Sequence, residues 1–211
     1  MLPRLRPWLA AASTLLGNPC LGCREEAPAG QPLCPACREA LAVRPPPRVL
    51  DLEGGALLTV EALWPWADPA RSLLLRAKAD PRGPEATHAV AAFAAAFRRR
   101  PGEAVVLPPL HLRRRLQGSS LPGACARSLG GEVLGLRGRL QRQTGRSAAD
   151  RRRGQDGALL RPPRAFDRHR GRALLLVDDV LTTGATLRAC ARSLQQARAG
   201  PIRAAVLASV E

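Results

Sequence analysis

The clearest hydrophobic pattern lies near the carboxyl end of the chain. Ala173 to Val177 is an unbroken run of five apolar residues, short and β-compatible, which suits a strand covered on both faces in a parallel sheet. Behind it, Leu187, Cys190, Leu194 and Ala197 recur at helical spacing, Gly200 supplies a stop, and Ile202 to Ala208 reads as a further strand. Upstream, the strand-like run Leu57 to Leu63 leads into Arg71 to Lys78, then into an alanine-rich helix in which Val90, Phe93 and Phe97 share a face. A strand at Val105 to Leu107, a helix from about Ala124 to Leu136 and a long arginine-rich connection complete the order. Strands alternating with helices predict an α/β fold with a doubly wound parallel sheet. No internal repeat is present.

The amino-terminal pattern differs. Arg4 and Arg6 precede the apolar stretch Trp8 to Leu16, which mimics the start of a signal peptide but lacks a convincing cleavage site. Nine residues are too few to span a bilayer as a helix, so the stretch is read as an amphipathic helix packing on the module that follows, with no membrane insertion. Arg44-Pro45-Pro46-Pro47-Arg48 is a stiff polyproline spacer. These features divide the 211 residues into an N-terminal helix and cysteine module (1–44), a Pro-rich linker (45–54) and an α/β domain (55–211). The last is large enough to bury its own core.

Charge changes the picture of what this domain meets. The net charge is +16, and Arg98 to Arg172 holds nineteen arginines against five acids. Triple-arginine runs stand at 98–100, 113–115 and 151–153. A field of that sign attracts a multiply charged anion or a nucleic-acid backbone; the alternative is a set of solvated faces in an arginine-favouring composition, with a single lysine and no tyrosine. Three Trp and three Phe leave few platforms for stacking on single-stranded bases.

The chemistry concentrates after the apolar run. Asp178 and Asp179 follow it directly, at the crest where open α/β sheets bind ligands, and two ionised acids there accept hydrogen bonds from vicinal hydroxyls such as those of ribose. Thr182, Thr183, Gly184, Ala185 and Thr186 then form a turn whose N–H groups and three hydroxyls converge on one phosphate at a helix amino end. The alternative is a plain strand, turn and helix with an Asp as N-cap. Cys20, Cys23, Cys34 and Cys37 form two C-x2-C knuckles ten residues apart, a tetrahedral four-thiolate set for structural Zn²⁺, with disulfides, unligated thiols and an iron centre as alternatives. Paired thiols of this kind call for a reducing cytoplasm. Cys125 and Cys190 are read as buried small apolar residues. His88, His111 and His169 have no metal-like spacing and are read as solvated.

The stretch Leu174 to Thr186 resembles the phosphoribosyl-pyrophosphate (PRPP) motif of type I phosphoribosyltransferases. With the preceding cysteine knuckles, the Leu15-Leu16-Gly17-Asn18-Pro19-Cys20 lead-in, Trp64-Pro65-Trp66, Leu75-Arg76-Ala77-Lys78-Ala79-Asp80 and Val105 to His111, nearly the whole chain resembles the ComF family, the competence-associated proteins of bacterial DNA uptake. The resemblance implies a type I phosphoribosyltransferase fold, a parallel sheet flanked by helices with a mobile hood, over 55–211. It implies that Asp178 and Asp179 hold the ribose hydroxyls and act as the catalytic pair, and that Thr182 to Thr186 cradle the 5-phosphate of PRPP with Mg²⁺. Pro108 to Arg115 becomes the pyrophosphate-side loop, with Arg113, Arg114, Arg115 and Lys78 as its cations; a solvated surface lysine is the alternative for Lys78. The implied setting is cytoplasmic handling of incoming single-stranded DNA, with competence proteins such as a helicase as partners.

The departures are specific. Leu116 to Leu121 lacks the aromatic and amides usual in that family, and the hood segments Arg142 to Ser147 and Arg151 to Gly154 lack its glutamine and asparagine. A PRPP-binding phosphoribosyltransferase therefore stands beside a non-catalytic PRPP-responsive module and a zinc-ribbon nucleic-acid binder. Replacing Arg113, Arg114 and Arg115 together by Ala is expected to raise the Kd for PRPP in a calorimetric titration; unchanged binding rejects the pyrophosphate role.

Overall fold

A strand buried on both faces organises the molecule. The computed structural model describes residues 18–52, 54–109, 120–139, 159–161 and 164–210. The cysteine module holds the two-residue strands β1 (Asn18–Pro19) and β2 (Glu26–Ala27) and the helix α1 (Pro35–Ala40). There follow β3 (Arg48–Asp51), β4 (Leu57–Pro65), α2 (Ala70–Ala79), α3 (Pro84–Ala96), β5 (Ala104–Leu107), α4 (Leu121–Ser128) and β6 (Val133–Gly135). A two-stranded ladder of β7 (Arg137–Arg139) and β8 (Leu159–Arg161), a 3₁₀ turn (Arg164–His169), β9 (Leu174–Leu181), α5 (Ala185–Gln196) and β10 (Ile202–Ser209) complete the order.

Six strands form the main sheet in the order β3-β4-β10-β9-β5-β6. All neighbours run parallel except β3, which pairs antiparallel with β4 at one edge. The predicted parallel α/β sheet is thus found, with one antiparallel strand added. Side chains of β9 alternate between two cores, as the two-residue repeat of a strand requires. Leu175 and Val177 pack on the face of Leu73, Leu74, Phe93 and Cys125, from α2, α3 and α4, together with the cysteine module. Leu174 and Leu176 pack on the face of Leu187, Cys190 and Leu194, from α5.

Several elements depart from their sequence-based bounds. The strand predicted over Ala173 to Val177 continues through Asp178 and Asp179 to Leu181, because β10 keeps pairing with it as far as Ser209. The helix predicted to reach Leu136 stops at Ser128; Gly130 and Gly131, at φ of 69° and 82°, reverse the chain, and Val133–Gly135 pairs with β5 instead. Gly200 does not end α5: Arg198 takes the left-handed turn, while Gly200 lies where a Cβ would stand 2.4 Å from the Gly171 carbonyl oxygen. Arg48–Asp51, inside the segment read as linker, is strand β3. The stretch Trp8 to Leu16, His111, Arg113 to Arg115 and the hood segments from Arg142 to Gly154 lie outside the described residues.

The amino end of the sheet is tied by charge. Glu103, 2% exposed, accepts two hydrogen bonds of 2.8 Å from Arg203 Nε and Nη2 and a third of 2.9 Å from the Arg100 N–H. His169 is fully buried, contrary to the solvated state expected for it. Its Nδ1 lies 2.9 Å from Arg172 Nη1 and its Nε2 lies 3.2 Å from Glu132 Oε1; arginine has no acceptor, so Nδ1 accepts and Nε2 donates. Burial alone would push the Glu103 carboxyl up, but the Arg203 fork and the Arg100 N–H outweigh it and hold the carboxyl below its ordinary 4.5. A depressed folded value means stability fully present above the ordinary value and lost as pH falls through the folded one. Thermal midpoints are therefore expected to drop as pH falls below 4.5, and Glu103→Gln, already destabilised at neutral pH, is expected to show a shallower acid dependence.

Candidate functional site

Strand alternation decides what the two acids face. Asp178 continues the α5 face of β9 and Asp179 the α2 face, matching the fields they exert on Cys190 and Cys125 respectively. Asp178 Oδ1 accepts the Asp179 N–H at 2.8 Å, and Asp179 Oδ1 accepts the Val180 N–H at 2.8 Å. Asp179 Oδ2 meets Lys78 Nζ at 2.9 Å, and that ammonium stands 5.6 Å from the centroid of the Trp66 ring. The single lysine of the chain is thus an ion-pair partner of Asp179, with a side chain only 21% exposed.

Beyond Leu181 the chain bends through Thr182 and Thr183 to Gly184, whose φ of 77° and lack of side chain let the loop close. A Cβ there would stand 2.6 Å from Leu50 Cδ1. Gly184 is also the N-cap of α5 and offers no capping side chain, so the helix amino end opens toward a small, solvent-open depression. Asp178, Thr182, Thr183, Gly184, Ala185 and Thr186 line it; Asp179 does not. Backbone N–H groups at a helix amino end, threonine hydroxyls and one carboxylate at the rim make a cradle for a phosphate carried on a hydroxylated carbon chain.

Arginines hold the outer side of this loop. Arg188 Nη1 donates to the Thr183 carbonyl at 2.6 Å, and its Nε donates to the Asp51 carbonyl at 3.3 Å. Arg48 Nη1 donates to the Val210 carbonyl at 2.7 Å and to the Thr182 carbonyl at 3.4 Å. Sequence reasoning missed both, since nothing in the pattern separates them from the other arginines. It missed Arg76 for the same reason.

The four cysteines gather at the other face of α2. Their sulfurs all lie within 4.8 Å of one another, with Cys23 and Cys34 at 3.8 Å; a tetrahedral zinc with bonds of about 2.3 Å needs sulfurs about 3.8 Å apart. The described cysteines form no disulfide. Backbone N–H groups of Gly22 and Cys34 point at Cys20 Sγ from 3.3 Å, and the Cys37 N–H points at Cys34 Sγ from 3.5 Å. Burial would push the Cys20 thiol up, yet the N–H groups of Cys34, Cys23 and Gly22 bring it down to about 6. Burial and the neighbouring sulfurs push Cys37 the other way, so the set needs a cation before all four ionise. The cluster fits zinc. By contrast Cys125, pushed up to about 12 by burial, is an inert core group.

The cluster is bound into the main core. Arg76, on α2, donates through Nη2 to the Leu21 and Gly22 carbonyls, and its Nε lies 3.2 Å from the nearly buried Glu85, which Arg24 also meets at 2.6 Å. Trp64 Nε1 donates to the Leu41 carbonyl at 2.9 Å.

Comparison with known families bears on the crest directly. Residues 118–211 match the family model of the phosphoribosyl transferase domain. The fold is of the phosphoribosyltransferase type. The matched span contains α4, β6, β9, the Thr182–Thr186 loop, α5 and β10, while β3, β4 and β5 of the same sheet precede it. No curated protein matches the chain. Among the described residues, no helix is long and apolar enough to cross a membrane.

The protein is expected to carry one metal ion per four-cysteine cluster, identified as zinc or iron by elemental analysis. Stripping it with a chelator, or Cys37→Ser, is expected to cost several kcal/mol, on the order of 10 °C in thermal midpoint.

Proposed function

We propose that the protein is a PRPP-binding phosphoribosyltransferase of the ComF family, acting in the cytoplasm on behalf of DNA uptake. The observation that carries this reading is the threonine loop between β9 and the amino end of α5, where Gly184 supplies no capping side chain, lying within the matched span. In it, Thr182, Thr183, Gly184, Ala185 and Thr186 take the 5-phosphate, and Asp178 and Asp179 take the ribose hydroxyls. Mg²⁺ enters with PRPP as the counter-ion of its pyrophosphate. Arg113, Arg114 and Arg115 are the candidate cations for the pyrophosphate.

Lys78 has a role here that differs from a direct phosphate contact. Its 2.9 Å pair with Asp179 supports orienting that carboxylate for the sugar. Ribosyl transfer from PRPP builds positive charge on the sugar and negative charge on pyrophosphate, so catalysis is mostly positioning and electrostatics. No covalent nucleophile is needed, and the buried Cys125 and Cys190 offer none. A division into an N-terminal zinc module (1–44) and a catalytic domain (55–211) belongs to the same proposal, with β3 of the intervening 45–54 segment joined to the domain's sheet. So do single-stranded DNA and a helicase as partners, which the arginine excess supports through phosphate charge.

A second reading is favoured by the divergent residues at Leu116 to Leu121 and in the hood: PRPP is bound and sensed without turnover. Calorimetric titration of the zinc-loaded protein with PRPP and Mg²⁺ tests the shared part. Binding is expected in the wild type and is expected to be lost in Asp178→Asn/Asp179→Asn; a folded wild type that binds no PRPP rejects both readings. Pyrophosphate release in an acceptor screen then separates enzyme from sensor.

A further inference from the structure

A loop that binds phosphate through its backbone must turn its N–H groups inward, which turns its carbonyls outward. Outward carbonyls served only by exchanging water leave the peptide planes freer to rotate. In this protein the carbonyls of Thr182 and Thr183 are both taken by guanidinium groups, Arg48 at 3.4 Å and Arg188 at 2.6 Å. The donors are themselves anchored. Arg48 reaches the Val210 carbonyl at 2.7 Å and Ser209 Oγ at 3.5 Å, beside the end of β10, and Arg188 reaches the Asp51 carbonyl at 3.3 Å. Between them, Leu50 is buried against Gly184, so closely that no Cβ fits.

Three of the four residues of β3 therefore touch the loop or its brace: Arg48 by its side chain, Leu50 by packing and Asp51 by its carbonyl. This is the antiparallel edge strand, and it precedes the span matched by the phosphoribosyl transferase domain. We propose that β3, through Arg48 and Arg188, is the positioning element of the 5-phosphate subsite. It holds the loop pre-formed before ligand arrives and sets two fixed positive charges behind it. The inference rests on the proposed PRPP site and adds to it the residues that shape one half of the ligand. Pre-formation lowers the ordering cost of binding, and charge-assisted hydrogen bonds to the loop carbonyls resist rotation better than water would.

The two halves of PRPP give the test. Ribose 5-phosphate uses the loop, whereas pyrophosphate does not. In calorimetric titrations of the full-length, zinc-loaded protein, Arg188→Ala is expected to weaken ribose 5-phosphate and PRPP binding about tenfold, with pyrophosphate affinity within about twofold of wild type. Arg188→Lys keeps the charge but reaches only one of the two carbonyls and is expected to fall between. Arg48→Ala is expected to follow Arg188→Ala with a smaller loss, and thermal midpoints without ligand check that each variant is folded. Unchanged ribose 5-phosphate binding in Arg188→Ala, or equal losses for ribose 5-phosphate and pyrophosphate, overturns the positioning role. A wild type that binds neither PRPP nor ribose 5-phosphate overturns the proposed function itself.

Discussion

The double-sided burial of β9 is the constraint from which the rest of the structure follows. Its four residues from Leu174 to Val177 are wholly buried, two toward α5 and two toward α2, α3 and α4. β10 pairs with this strand from Leu174 to Leu181 and β5 from Leu174 to Leu176, and its ends are the first places where polar groups meet solvent. Polar chemistry is therefore confined to its carboxyl end. There the pleat that separates the two cores also separates Asp178 from Asp179, and one carboxylate faces the loop depression while the other faces Lys78.

Helix α2 lies between the four-cysteine cluster and this crest. Two residues apart on it, Arg76 grips the first cysteine knuckle and Lys78 grips Asp179. Cys20, Cys34 and Cys37 are part of one buried cluster with Leu73, Leu74 and Phe93, while Cys23 is exposed. A module of this size has little apolar surface of its own, so docking on α2 contributes to its folding, and its four cysteines fit a metal that would add to it.

The legible parts share a physical character. Elements whose evidence is local were readable: the apolar run of β9, the periodic face of α5, the C-x2-C knuckles and the threonine loop all declare themselves within about a dozen residues. Bounds set by tertiary partners were not. β9 extends through two aspartates only because β10 continues beside it. Val133–Gly135 is a strand because β5 offers an open edge, although its residues also fit the end of a helix. His169 gave no sign of burial, since its partners Glu132 and Arg172 meet it only in the fold.

By itself, the sequence determined the mostly parallel α/β class, the four-cysteine set and the threonine loop after β9, because each depends on residue type and spacing within a short segment. Only the tertiary structure decided that Lys78 pairs with Asp179, that Arg48 and Arg188 are the arginines behind the loop, and that Arg48–Asp51 is a strand of the sheet. Lys78 and Asp179 are 101 positions apart and Arg48 and Thr182 are 134 apart, while Arg188 meets Thr183 only five residues back but is tied to Asp51 across 137. With thirty-two arginines in the chain, composition carries no signal of which ones chain folding will bring to a given carbonyl.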